Sequence, residues 1–314
     1  MKEYIDRGGK DTRSGFGDGL AELGRTNPDV VALTADLKGS LKMDEFASEN
    51  PGRFFECGIA EANMIGMAAG LAISGKIPFA GTFANFATAR VYDQIRQAVC
   101  YSRTNVKIAA SHAGITLGED GATHQTLEDV GMMRMLPDMT VIAPCDYNQT
   151  KAATIAAASW DGPVYLRFGR PKVPNFTDPG EPFIIGKAQH LAEGGDVTIL
   201  AYGHLVWEAI QAAAALEKGG IRADLFNIHT IKPLDEEAIL ASVARTGRVV
   251  VAEEHLVAGG LGEAVAALLA IKNPAPMRIV AIKDTFGQSG KPAELMQAYG
   301  LTSSAIEEAA RALI

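Results

Sequence analysis

Short, continuous apolar runs rich in β-branched residues alternate with helical stretches along almost the whole chain. In each run the apolar residues follow one another and do not alternate with polar ones, which predicts strands covered by helices on both faces. Strands separated by helices build parallel sheets, so we expect an α/β fold with mainly parallel, doubly wound sheets. The predicted strands are VVALTA from Val30, PFAGTF from Pro78, VKIAAS from Val106, TVIAP from Thr140, PVYLRF from Pro163, DVTILAYG from Asp196, IRADLFNIHT from Ile221, RVVVAEEH from Arg248 and MRIVAIKD from Met277.

The alternation is interrupted between Arg170 and Phe183, where the sequence RPKVPNFTDPGEPF is rich in proline and lacks periodicity. Such a stretch is typical of a linker. A chain of 314 residues is long enough for two domains that each bury a core. We therefore expect a first domain over 1–172, a linker over 173–183 and a second domain over 184–314.

The composition excludes several classes of partner. A net charge of −8 argues against nucleic acid and anionic membranes, because both require a basic face. The three cysteines form no CxxC pair, and we expect three buried thiols in a reducing compartment. The sequence contains no signal peptide and no apolar segment of the roughly 20 residues that a membrane span needs. Together these features favour the cytoplasm.

The stretch FFECGIAEANMIGMAAGLAISG, from Phe54, places one carboxylate, Glu61, at the start of an otherwise apolar helix. Out of context, such a residue is a helix N-terminal carboxylate favoured by the helix dipole. In apolar surroundings, however, an unpaired carboxylate is costly unless it is protonated or has a partner. Glu61 is therefore a candidate for proton chemistry.

The longer motif GIAEANMIGMAAGLAISGKIPFAGTFANF, from Gly58, resembles the pyrimidine-binding domain of transketolases and their relatives. The resemblance implies thiamine diphosphate as cofactor and Glu61 as its catalytic activator, bonded to N1′ of the aminopyrimidine. It also implies that Phe83 and Phe86 cover that ring, Phe86 being the stronger candidate, and that Asp36 lies near the cofactor. Both phenylalanines are equally compatible with core packing.

A second motif, GEDGATHQ from Gly118, is similar to the pattern of transketolases and 1-deoxy-xylulose-5-phosphate synthases. The resemblance implies that His112, just upstream, faces the reacting carbon as a second catalytic residue. It further implies that Asp120 and His124 contact the hydroxyls and the phosphate end of a sugar. Imidazole suits these tasks because it donates and accepts hydrogen bonds near neutral pH. No regular ligand spacing indicates a metal site in this chain.

Three more residues match positions that bind the sugar phosphate in transketolases: Arg13 in KDTRSGFG, Ser40 in LTADLKGS and Arg170 in VYLRFGRP. Arginine suits phosphate because its planar fork meets two oxygens at once. Arg167 falls at a position that the family usually fills with an apolar residue, and we expect a structural role for it.

The tripeptide Gly17-Asp18-Gly19 is similar to the start of the magnesium-diphosphate motif of thiamine enzymes. It lies inside the helical stretch SGFGDGLAELGR, whereas the motif requires the end of a buried strand, and we reject it. Transketolases carry the diphosphate and Mg²⁺ on a further N-terminal domain. The resemblance therefore implies a partner chain that carries this domain and shares the cofactor, in an α2β2 heterotetramer. The chain is then either one subunit of a split enzyme or a fragment, and because Met1 precedes the first matching element, we expect a genuine subunit.

The leading interpretation is the small subunit of a split transketolase, which transfers a two-carbon ketol unit between sugar phosphates. One alternative is the beta subunit of a 2-oxo acid dehydrogenase, which does not explain GEDGATHQ or the phosphate residues. Another is the C-terminal part of a 1-deoxy-xylulose-5-phosphate synthase, and the last is a non-catalytic paralogue, against which the intact motifs argue. In the second domain we expect interface or structural roles for His229, Glu253, Glu254 and His255.

Overall fold

The structure is a computed structural model that describes residues 2–314. Its first half contains β1 (Lys10–Asp11), α1 (Thr12–Thr26), β2 (Val30–Thr34), α2 (Asp44–Glu49), β3 (Phe54–Glu56), α3 (Glu61–Ile73), β4 (Ile77–Phe83), α4 (Tyr92–Gln94), β5 (Lys107–Ser111), α5 (Asp129–Met135), β6 (Thr140–Ile142), α6 (Tyr147–Ser159), β7 (Val164–Arg167) and β8 (Lys172–Val173). Helix α4 continues as a π-helix over Ile95–Tyr101.

The second half contains β9 (Gln189–Ala192), β10 (Val197–Ala201), α7 (Leu205–Lys218), β11 (Ala223–Asn227), β12 (Thr230–Lys232), α8 (Glu236–Thr246), β13 (Val249–Leu256), α9 (Leu261–Lys272), β14 (Met277–Ile282), α10 (Pro292–Ala298) and α11 (Ser303–Arg311). All nine predicted runs contain a strand, whereas the short strands β1, β3, β8, β9 and β12 were not predicted.

Two mainly parallel sheets confirm the predicted α/β fold. The first has the strand order β12-β6-β7-β5-β4-β2-β3, and the second has the order β14-β13-β10-β11-β9. Only the edge strands β12 and β9 run antiparallel to their neighbours in these sheets, within the part of the chain described. Strands β2, β5, β7, β10 and β11 are buried along their whole length, as continuous apolar runs require.

The two halves share a core. Strand β12 belongs to the second half of the sequence but joins the first sheet, where Thr230 lies opposite Ile142 of β6. One cluster of buried apolar side chains includes Val141 from the first half and Tyr202 and Val251 from the second. The second half is therefore packed firmly against the first, next to the loop that follows β5.

Glycines in α1 allow close packing of that helix. A Cβ atom at Gly15 would lie 2.3 Å from the carbonyl oxygen of Tyr147, and one at Gly17 would lie 2.3 Å from that of Lys42. The Gly17-Asp18-Gly19 tripeptide lies inside this helix, as predicted, and the Asp18 carboxylate accepts a hydrogen bond from the Tyr147 hydroxyl. These glycines serve helix packing.

The cysteines are free thiols, but their burial corrects one expectation. Cys100 and Cys145 are buried, whereas Cys57 is only partly buried, because it lies in the irregular turn between β3 and α3. Between residues 2 and 314, no helix has both the length and the apolar character that a membrane crossing requires.

Candidate functional site

The predicted site residues lie at one edge of the first sheet. Phe83 ends β4, while Asp36, His112 and Arg170 follow the carboxyl ends of β2, β5 and β7. Because these strands are parallel neighbours, their carboxyl ends form one crevice, where α/β proteins usually bind ligands. Asp36 and His112 both have a φ angle of 59°, which non-glycine residues adopt rarely and often at functional sites.

Four predicted residues form one ring cluster. The Phe83 ring stacks on His112 with centroids 3.8 Å apart and on Phe86 with centroids 5.8 Å apart. His124 meets Phe86 edge to face at 5.5 Å. Phe83 and His112 are buried, whereas Phe86 is partly exposed. Phe86 therefore offers an accessible aromatic surface at the crevice.

Glu61 is the first residue of α3 and is only 4% exposed. Its Oε1 accepts a hydrogen bond from Nη1 of Arg90 at 2.7 Å, and the Arg90 guanidinium lies 4.0 Å from the centre of the Phe86 ring. Arg90 thus connects the carboxylate with the ring cluster. Arg90 was not predicted from the sequence, where the available signal was one arginine among small residues shortly after TFANF.

Removing Arg90 is expected to destabilise the chain. We expect Arg90→Ala to lower the free energy of unfolding by about 1–2 kcal/mol, because the Glu61 carboxylate loses its cationic partner. The partial exposure of the Arg90 side chain keeps the loss small. In a Glu61→Gln background, Arg90→Ala should lower the free energy of unfolding by less than half as much. Urea unfolding of the wild type, the two single variants and the double variant measures this coupling, and equal losses of unfolding free energy in both backgrounds would refute it. Arg103→Ala, which breaks the exposed pair with Asp138, is the control.

His112 is held as a neutral imidazole. Burial, together with the positive charges of Arg13 and Arg170, lowers the pKa of His112 to about 3. Its Nδ1 lies 2.7 Å from Oγ of Ser111, which fixes the ring at the crevice. His112 can therefore form hydrogen bonds with a polar ligand at neutral pH without adding charge.

Two arginines stand close to His112. Arg13 donates from Nη1 to the carbonyl oxygen of Ser40 at 3.1 Å. Arg170 donates from Nη1 to the carbonyl oxygen of Leu117 at 2.9 Å and lies 3.6 Å from the Asp120 carboxylate. Burial lowers the pKa of Arg13, the Asp11 carboxylate 3.3 Å away opposes this shift, and the neighbouring charge of Arg170 adds to it. Two such cations side by side favour an anionic ligand.

Asp36 is solvent-exposed at the end of β2, and its backbone amide donates to Oε1 of Glu56 at 2.7 Å. The same oxygen accepts from the Gly58 amide at 3.0 Å, so Glu56 connects β2 with the turn that leads to Glu61. The Asp36 carboxylate makes no hydrogen bond or ion pair with any residue from 2 to 314. Its predicted contact with a cofactor therefore stays a prediction.

Polar residues expected to be structural join the two halves. Arg167 pairs with Asp129 at 2.8 Å, and its Nη2 donates to the carbonyl oxygen of Glu254 at 3.0 Å. The Glu254 carboxylate accepts from the Thr116 amide at 2.7 Å, and Nε2 of His255 accepts from an amide of α5.

Glu253 caps the start of α9, and burial raises its pKa. His229 packs on Phe183 and is buried, which lowers its pKa to about 4.

Comparisons with known proteins identify both halves of the chain as transketolase domains. The transketolase pyrimidine-binding domain matches residues 9–175, and the transketolase C-terminal domain matches residues 186–306. A 6-deoxy-6-sulfo-D-fructose transketolase subunit from Clostridium sp. is 46% identical over 298 residues, which are 95% of this chain and 92% of that protein. Human (Homo sapiens) transketolase is 38% identical over 307 residues, which are 96% of this chain but 49% of that protein.

A solved structure described as a split gene transketolase, inactive beta4 tetramer, has the same fold. It is 46% identical to this chain, with a TM-score of 0.91. The alignment covers 96% of this chain and 98% of the other.

Proposed function

Because this chain belongs to the transketolase family, we propose that it is the C-terminal subunit of a split transketolase. Its reaction is the transfer of a two-carbon ketol unit between sugar phosphates. The observation that carries this proposal is the crevice in which a nearly buried Glu61, an accessible Phe86 ring and a neutral His112 lie beside Arg13 and Arg170. The phosphate residues favour this reaction over that of a 2-oxo acid dehydrogenase beta subunit.

Glu61 and Phe86 fit the aminopyrimidine ring of thiamine diphosphate. A flat heteroaromatic ring needs an aromatic surface, and its ring nitrogen N1′ needs a carboxylate that can hold a proton there. Both groups lie within reach of Arg90, which bonds to one and stacks on the other. The bound cofactor supplies the nucleophilic carbon that takes up the ketol unit. The role of Glu61 is to hold the proton at N1′.

The sugar is recognised by the polar side of the crevice. Arg13 and Arg170 supply two cations for the phosphate, with His124 as a further donor. Asp120 accepts hydrogen bonds from sugar hydroxyls, and His112 contacts the reacting end. A relative is named for 6-deoxy-6-sulfo-D-fructose, whose sulfo group is also a tetrahedral anion. An arginine pair suits either anion, and for this chain we propose phosphate.

The surface of α3 supports a partner chain. Gly66 and Gly70 face open space, and the neighbouring Met67 and Ile73 are exposed, so an apolar helix face lies uncovered beside Glu61. Exposed apolar faces of this kind mark protein interfaces. This chain corresponds to about half of the human enzyme. We therefore propose that the partner supplies the N-terminal domain with Mg²⁺ and the diphosphate site, in an α2β2 complex in the cytoplasm.

Losing Arg170 is expected to weaken binding of phosphorylated acceptors. In the assembled complex, Arg170→Ala should raise KM for ribose 5-phosphate by roughly 10- to 100-fold, the effect of one charge-assisted contact of about 1.5–3 kcal/mol. The value of kcat should change little, because the phosphate is held equally in the ground and transition states. For glycolaldehyde, which has no phosphate, KM should change by no more than about twofold.

Steady-state kinetics with both acceptors test this prediction. Arg103→Ala, which removes a cation that is 78% exposed and paired with Asp138, should leave both KM values unchanged. An equal loss for ribose 5-phosphate and glycolaldehyde would mean that Arg170 is structural. A complex that consumes pyruvate but no ketose phosphate would favour the dehydrogenase beta subunit instead.

A further inference from the structure

The loop that carries Asp120 and His124, here called the GEDGATH loop (residues 118–124), is packed against the second half of the chain. Gly118 and Gly121 have positive φ angles of 94° and 76°. A Cβ atom at Gly121 would lie 2.5 Å from Oγ of Ser289, and one at Gly118 would lie 3.3 Å from Cδ of Pro292. The loop therefore depends on its contact with residues 287–292 for its shape.

One side chain ties this contact together. Gln125 follows the loop directly and is 5% exposed. Its Nε2 donates to the carbonyl oxygens of Ile115 and Gly118, both at 3.2 Å, and to that of Gln288 at 3.0 Å. Because all three partners are acceptors, the orientation of the amide is determined. Gln125 thus joins both ends of the loop to the second half.

The second half is shaped to receive this amide. A Cβ atom at Gly287 would lie 1.9 Å from Oε1 of Gln125, so only glycine leaves room for it. The same Oε1 is buried and has no hydrogen-bond partner among residues 2–314. An unpaired buried oxygen offsets much of the stability contributed by the two N–H groups that these three acceptors share. The hydrogen bonds of Gln125 are therefore better explained by the position in which they hold the GEDGATH loop than by a net gain in stability.

The position of the loop determines the position of its two polar side chains. The backbone amides of His124 and Gln125 both donate to the carbonyl oxygen of Gly121 at 3.0 Å. The backbone of Gln125 therefore helps to fix the turn that leads to His124. Asp120 lies between the two glycines that contact the second half. Movement of Gln125 would displace both Asp120 and His124.

We propose that Gln125 is a positioning residue, through which the second half of the chain sets the geometry of the sugar-phosphate site. The inference rests on the proposed function, because it assumes that Asp120 and His124 bind the sugar phosphate. It gives the C-terminal half a role in substrate binding that acts through the GEDGATH loop.

The test replaces Gln125 with methionine, which keeps the length of the side chain and removes its donors. Gln149→Met is the matched control. Gln149 is 7% exposed and also joins the two halves, accepting from Asn227 at 3.0 Å and donating to Gln189 at 3.1 Å. It makes no hydrogen bond to residues 115–125 in the part of the chain that the structure describes.

Two measurements are made on each variant. In the assembled complex, Gln125→Met should raise KM for ribose 5-phosphate about tenfold while Kd for thiamine diphosphate stays within about twofold. In the isolated chain, amide hydrogen exchange over residues 118–124 should accelerate about tenfold. Gln149→Met should change none of these quantities by more than about twofold. Gly287→Ala, which displaces the same amide from the other side, should reproduce the Gln125→Met result.

Three outcomes would overturn the proposal. The first is an equal rise in KM for ribose 5-phosphate and in Kd for thiamine diphosphate, which indicates general damage to packing. The second is a Gln149→Met variant that behaves like Gln125→Met. The third is an unchanged KM in an active Gln125→Met complex. A wild-type complex without ketol transfer would instead refute the proposed function, so the two failures are distinguishable.

Discussion

Glu61→Gln in the assembled complex is expected to lower kcat by about 10²–10⁴-fold, the usual contribution of a positioned proton-transfer group. The carboxylate is nearly buried at the start of α3, where it can hold a proton at N1′ of the cofactor ring. A glutamine amide has the same shape but cannot take or give that proton. The substitution should leave the fold intact, since a neutral amide is easier to bury than a carboxylate.

The matched control is Glu56→Gln. Glu56 lies five residues upstream, and it is exposed and accepts hydrogen bonds from the amides of Asp36 and Gly58. A glutamine oxygen can still accept those bonds, so kcat should stay within about threefold of the wild-type value. Steady-state turnover of a ketose phosphate with ribose 5-phosphate as acceptor measures both variants. Near-normal turnover of Glu61→Gln would remove Glu61 from its assigned role.

The fold was predictable where the pattern was long and continuous. The runs from Val30, Val106 and Asp196 form buried central strands because residues covered on both faces must all be apolar. The edge strands β3 and β9 were not predicted, because they are short and only partly buried. Strand β12 was not predicted either, because only its first residue, Thr230, falls in a predicted run; its place in the first sheet is decided by tertiary packing, which leaves no periodicity in the sequence.

The candidate site was predictable as a set of residues but not as a network. Motif resemblance selected Phe83, Phe86, His112 and His124, and the structure brings these four rings together. The ion pair of Glu61 with Arg90 joins residues 29 positions apart, and no local sequence pattern predicts it. The bond from Gln125 to Gln288 spans 163 positions and depends on how the two halves pack.

The isolated chain is expected to show no ketol transfer, even with thiamine diphosphate and Mg²⁺ present. Its two matched domains are the pyrimidine-binding and C-terminal domains of the family. On the proposed function, a domain of the partner anchors the diphosphate and the metal, and without that anchor we expect the cofactor ring not to be held against Glu61. The uncovered face of α3 beside Glu61 is where we expect the partner to pack. Pairing of the two chains should therefore complete the site.

The most direct measurement is a titration of the purified chain with its purified partner, followed by transfer from a ketose phosphate to ribose 5-phosphate. Each chain alone should be inactive, and activity should rise with added partner until the chains are equimolar, as an α2β2 complex requires. The Glu61→Gln chain should assemble with the same stoichiometry but without the activity. Robust ketol transfer by the purified chain alone would contradict the account.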